Sequence, residues 1–133
     1  MAGYVVDASV AVEYLLKTPL GLTLADTLEN ASLVAPELID AEVLSVLRRG
    51  VLRGVLEETR ARIVVESLAH WPAHRVSHRD LAPIAWQYHR NISAYDAFYV
   101  AAARGYGLSL LTTDGRLARA PNLGIVVQTV RMG

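Results

Sequence analysis

A chain of 133 residues with 13 Lys and Arg against 13 Asp and Glu has the length of one ordinary domain, taken as residues 1–133, and can bury a full core without staples. Cysteine is absent, which excludes a disulfide framework and a thiolate metal site and fits a reducing cytosol. Hydrophobic residues make up 53% and the mean hydropathy is +0.28, so the chain buries strands on both faces or keeps apolar surface for a partner. No apolar run approaches the roughly 20 residues of a membrane span. The start, Met1-Ala2-Gly3-Tyr4, lacks the basic region and long apolar segment of a signal peptide.

Short apolar runs alternate with helical patterns, which predicts βαβ units around a parallel sheet. The first strand is expected at 3–6. A helix follows at about 8–16, closed by Thr18-Pro19, and a second at 20–29. A strand at 32–35 ends at Pro36, a residue suited to a helix start, and a long helix runs from there to about 53, where Gly54 breaks it. The next helix, 57–70, carries Glu57 and Glu58 in its first turn, where the helix dipole favours them. Its apolar side reads Leu56, Ile63, Val64, Leu68 and Trp71. A short strand at 75–77, helices at 78–89 and 93–105, a strand at 108–111, a helical turn at 115–119 and a last strand at 125–127 complete the pattern. There is no repeat, low-complexity tract or linker.

Four acidic residues interrupt this pattern. Asp7 ends the run Tyr4-Val5-Val6, and Asp114 follows Leu110-Leu111-Thr112-Thr113. Both fall just after apolar strands, at the sheet edge where open parallel sheets bind ligands. Each could equally cap a following helix. Glu42 has Leu38, Ile39, Ser45 and Val46 as helical neighbours, so it lies along the core-facing side or at that side's edge. Asp96 sits in Ser93-Ala94-Tyr95-Asp96, which is close to a capping box, yet Ile92, Tyr99 and Val100 flank it at helical spacing.

A carboxylate in an apolar setting is costly unless it is paired, hydrogen-bonded or metal-bound. Gathered carboxylates raise one another's pKa values unless a cation is present, and oxygen-only ligands favour Mg²⁺ or Mn²⁺. His70, His74, His78 and His89 lack a metal spacing and are expected at the surface or an interface. Setting the four acids aside leaves nine against 13 bases, of which all but Lys17 are arginine, a residue suited to bidentate phosphate contact. The arginines near the motifs are Arg48, Arg49, Arg90, Arg104 and Arg116, with Arg116 the first candidate. An aspartyl-nucleophile phosphatase is disfavoured, because Ser9 stands where those enzymes carry a second aspartate and no downstream lysine exists.

Val5-Val6-Asp7-Ala8-Ser9, Ala35-Pro36-Glu37-Leu38 with Ala41-Glu42-Val43, Ser93-Ala94-Tyr95-Asp96-Ala97 with Tyr99-Val100-Ala101, and Leu111-Thr112-Thr113-Asp114 resemble the PIN-domain nucleases, and within them the VapC-type toxins of toxin–antitoxin pairs. Each motif alone is weak, but the ordered set runs nearly end to end. The resemblance implies a three-layer α/β/α domain with a short-stranded, mainly parallel sheet, and Mg²⁺- or Mn²⁺-dependent RNA cleavage. It places the family's acidic quartet on Asp7, Glu42, Asp96 and Asp114, a hydroxyl near the last acid on Thr112, and another on Ser9. It also implies a VapB-type antitoxin partner, a homodimer and a cytoplasmic setting. A non-catalytic PIN-like binding module and a nuclease acting on DNA are the competing readings.

Overall fold

Strand β1 (Gly3–Val6) is the centre of the molecule. Val5 and Val6 are fully buried, as expected of a strand covered on both faces, which reads as a continuous apolar run. The computed structural model describes residues 2–132. From β1 the chain continues through α1 (Ala8–Leu16) and α2 (Pro19–Glu29) to β2 (Ser32–Pro36), then α3 (Leu38–Leu52), α4 (Glu58–His70) and β3 (His74–Val76). It proceeds through α5 (His78–Trp86), α6 (Ala94–Tyr106), β4 (Ser109–Thr112), α7 (Gly115–Arg119) and β5 (Val127–Thr129). The sheet order is β3-β2-β1-β4-β5, and every pairing is parallel.

That order contains one reversal. After β1 the chain steps outward to β2 and β3, then returns to lay β4 on the other side of β1. The crevice beyond the C-terminal ends of β1 and β4 is therefore the topological switch point, where sheets of this kind bind ligands. Helices flank the sheet, and Val10, Ile39, Val43, Val64, Val100 and Leu110 fill the core between the layers with essentially no exposure. Helix α2 packs very close to the end of α1: a Cβ on Gly21 would lie 1.9 Å from the Glu13 carbonyl oxygen, so only glycine fits there. Among the described residues no helix is long and apolar enough to cross a membrane.

The elements match the expectations in number, type and order, with shifted boundaries. Pro36 closes β2, in register with Val76, instead of opening α3. The next residue, Glu37, donates its N–H to the Val76 carbonyl, so the helix starts only at Leu38. The 78–89 helix stops at Trp86 and continues as turns. The last strand lies two residues later than expected, because β4 sets its register, Leu110 opposite Val127. On α4 the buried line runs through Ala61, Val64 and Leu68, and Ile63, expected to face inward, is exposed.

His78, one of the histidines expected at the surface or an interface, is half-buried and has a structural role. Its Nε2 accepts the Leu38 N–H at 2.9 Å, and its ring stacks on Phe98 with centroids 4.4 Å apart. It thus satisfies a free amide at the start of α3, which has no side-chain cap of its own.

Candidate active site

The residue after β1 is Asp7; its backbone is still extended and its side chain caps α1, accepting the Val10 N–H at 3.1 Å. The residue two places after β4 is Asp114, which caps α7 by accepting the Arg116 N–H at 2.9 Å. Capping and convergence are compatible. Both carboxylates, with Glu42 from α3 and Asp96 from the first turn of α6, line one cleft of about 410 Å³ with Ser9, Ser45, Arg49, Tyr99 and Arg116. Four segments far apart in sequence therefore deliver their acids to the switch point.

Hydroxyls organise the cleft floor. Ser9 Oγ donates to Asp7 Oδ1 at 2.5 Å and accepts the Thr113 N–H at 3.0 Å, tying the loop after β1 to the loop after β4. Thr112 is, among the described residues, the fully buried polar side chain of the core. Its Oγ1 accepts the Asp114 N–H at 3.0 Å, and its hydroxyl also stabilises the Asp7 carboxylate. Tyr99 Oη donates to Glu42 Oε1 at 2.7 Å. On the open side, Arg116 forms a bidentate pair with Asp114, at 3.2 Å from Nε to Oδ1 and 3.0 Å to Oδ2.

The electrostatics divide the quartet. Burial pushes the Asp7 carboxyl above its ordinary range, although the Ser9, Thr112 and backbone hydrogen bonds oppose it. Burial also raises Glu42, and the charges of Asp7 and Asp96 add to it against the opposing Tyr99 bond. Asp96 is raised by burial and then by Asp114. Asp114 is lowered, first by its hydrogen bond to Arg116. Tyr99 is pushed strongly upward by burial and by Glu42, which keeps it a proton donor. Among the described residues no group of three or more His, Cys, Asp or Glu side chains is preassembled to hold a metal ion. Glu42 and Asp114 each accept a hydrogen bond from a protein donor, Tyr99 and Arg116.

Helix geometry sorts the arginines. Glu42, Ser45, Val46 and Arg49 follow one another at i, i+3, i+4 and i+7, and all line the cleft. Arg48, one residue round the helix, lies instead in a groove between α3 and α4 with Leu44, Val51 and Arg62. Arg90 lies on the turn after α5, away from the cleft-lining set, and Arg104 donates to Gln87 Oε1. Sequence reading missed Tyr99 and Ser45 as members of the site. Their signals were spacings of three residues, from Asp96 and from Glu42.

The comparisons with known proteins agree with this architecture. The PIN domain family profile matches residues 4–123. The chain is 39% identical to Ribonuclease VapC1 of Mycobacterium tuberculosis over 129 residues, covering 96% of this chain and 97% of that one. It is 35% identical to Ribonuclease VapC12 of the same organism over 116 residues, 87% of this chain and 90% of that one. Among solved structures, the Rickettsia felis VapBC2 complex with a promoter DNA fragment matches at TM-score 0.62 and 13% identity, covering 97% of this chain and 99% of that one. PAE2754 from Pyrobaculum aerophilum matches at TM-score 0.64 and 20% identity, covering 95% and 83%. The structural likenesses establish the fold, the sequence relatives the family: this chain belongs to the PIN-domain family, among its VapC members.

Proposed function

We propose that this chain is a divalent-metal-dependent endoribonuclease that hydrolyses RNA phosphodiester bonds at the acidic cleft and acts as the toxin of a toxin–antitoxin pair. The observation that carries the reading is the convergence of Asp7, Glu42, Asp96 and Asp114 on one cleft at the switch point. The relatives named as ribonucleases support the substrate class. The VapBC complexes among the structural neighbours support the antitoxin.

The donor set fits a hard cation. It offers only carboxylate oxygens at the four acidic positions, which suits Mg²⁺ or Mn²⁺. Burial drives three of those carboxylates toward the neutral form, and neighbouring carboxylates add to it at Glu42 and Asp96, a strain that a bound cation relieves. Asp7, Glu42, Asp96 and Asp114 would hold it. The ion's chemistry, when bound, is to lower the pKa of an attacking water and to neutralise charge that builds on the phosphate oxygens.

The chain's own side chains do the rest. Ser9 and Thr112 lock Asp7 and the Asp114 backbone in place. Arg49 and Arg116 put positive charge at the edge of an acidic site that an anionic substrate must enter. Arg116, paired with Asp114 and largely exposed, would offer its guanidinium to a phosphate oxygen of the substrate if Asp114 were engaged by the cation. Water supplies the nucleophile, so the RNA 2′-hydroxyl is not consumed, and breaking the P–O3′ bond leaves a 5′-phosphate and a 3′-hydroxyl. Exposed Leu44, Leu52, Val55, Ile63 and Val65 on and between α3 and α4 supply apolar surface of the kind that a VapB-type antitoxin and a second copy of the chain would cover in the cytoplasm.

The test is RNA cleavage by EDTA-treated protein before and after adding Mg²⁺ or Mn²⁺. Cleavage is expected only with metal, and not in Asp7→Asn or Asp96→Asn proteins of unchanged circular dichroism. Cleavage in EDTA contradicts the metal centre. Cleavage of DNA in place of RNA keeps the centre and overturns the substrate.

A further inference from the structure

We infer that Tyr99 is a positioning residue for the acidic cleft: its hydroxyl holds the Glu42 carboxylate in the orientation from which Glu42 takes a divalent cation. The inference rests on the metal-dependent reading of the cleft and goes beyond the acidic quartet.

Tyr99 lies on α6 three residues after Asp96, so the two share a helix face. Its ring is buried, with 3% exposure. A buried tyrosine in place of phenylalanine adds a hydroxyl whose desolvation is offset only by a partner. That partner is Glu42 Oε1, at 2.7 Å and 57 positions away in the chain.

Two of the other acids have their own restraints. Asp7 is held by Ser9 and the Val10 N–H, Asp114 by Arg116 and the α7 amide. Glu42 is neither a cap nor a member of an ion pair among the described residues, and Tyr99 supplies the hydrogen bond it has there. It also feels repulsion from Asp7 and Asp96. A glutamate with three rotatable side-chain bonds, repelled by two neighbours, swings toward solvent unless something tethers it. The Tyr99 hydroxyl is that tether, and Glu42 Oε2 keeps no protein donor among the described residues. The phenolic oxygen also lies near the backbone of Ala8, next to Asp7, so the hydroxyl joins α6 to α3 beside the start of α1.

The test is a Mn²⁺ binding isotherm on Tyr99→Phe, which keeps the buried ring and removes one oxygen. The dissociation constant is expected to rise about 10–100-fold, the usual cost of losing a residue that orients a metal ligand. The Mn²⁺ concentration for half-maximal RNA cleavage should rise by the same factor. In a Glu42→Gln background the Tyr99→Phe change should add nothing, since its effect passes through the carboxylate. Unchanged affinity in Tyr99→Phe, or an undiminished penalty in the Glu42→Gln background, overturns the inference. A Tyr99→Phe protein too unstable to measure is replaced by reading the wild-type tyrosine ¹³Cζ resonances during a Mg²⁺ titration, where a Tyr99 signal that does not move overturns it as well. Failure of the wild-type protein to bind Mn²⁺ overturns the metal-dependent reading itself.

Discussion

Replacing Ser9 by alanine removes one oxygen that makes two hydrogen bonds, to Asp7 Oδ1 and from the Thr113 N–H. The bond to the carboxylate is charge-assisted, about 1.5–3 kcal/mol, and the backbone bond is ordinary, about 1 kcal/mol. Water reaches the cleft and softens both, so we expect a loss of about 2–3 kcal/mol at neutral pH. For a domain of this size that is a fall in Tm of roughly 10 °C. The loss depends on pH. Burial already raises the Asp7 pKa above its ordinary 3.8. A carboxyl raised on folding contributes stability that is full below its unfolded pKa and is lost as pH rises through the folded pKa. Ser9 opposes that rise, so Ser9→Ala lifts the folded pKa further and costs most where Asp7 is ionised. At about pH 3, below the ordinary 3.8 and so below the raised folded value whatever the size of the rise, Asp7 is protonated, the Ser9 bond to it loses its charge assistance, and the deficit shrinks to about 1–2 kcal/mol. Thermal melts of both proteins at the two pH values measure it. A deficit of equal size at both, or none at neutral pH, refutes the reasoning.

Two further outcomes follow from the same geometry. Tyr88→Phe removes a buried 2.6 Å hydrogen bond to the Leu123 carbonyl and leaves that oxygen unsatisfied. Urea unfolding should show a loss of about 1–3 kcal/mol with RNA cleavage intact, since Tyr88 lies outside the cleft-lining set. Arg116→Gln should weaken RNA binding and make the log–log dependence of affinity on salt shallower by roughly 0.7, the share of a single neutralised phosphate. An unchanged slope places Arg116 off the phosphates.

The fold was legible where local pattern and tertiary demand agree. β1 and β4 are short and carry the buried apolar pairs Val5-Val6 and Leu110-Leu111, so the sequence marked them well. Edge strand β5 is placed by its partner's register, and the apolar run Ile125-Val126-Val127 pointed to a position two residues early. Pro36 carries both a strand-end and a helix-start signal. The choice between them was made by β3, whose Val76 lies opposite Pro36 and takes the Glu37 amide.

In the candidate site, the four acids were legible because each breaks an apolar pattern. Tyr99 was not, because a tyrosine at helical spacing reads as core and only its hydroxyl is polar. The arginines on α3 were not separated either. Arg48 and Arg49 are adjacent in sequence, but a rotation of one residue sends one to the α4 groove and the other to the cleft. The capping role of His78 depends on a partner 40 positions away and leaves no local trace.

Whether the acidic cleft cuts RNA is decided by inducible expression of the wild type and of Asp96→Asn, followed by sequencing of RNA 5′-phosphate ends. Discrete new ends are expected in cells making the wild type and none in cells making equal amounts of Asp96→Asn. The same ends in both would contradict cleavage at the acidic cleft.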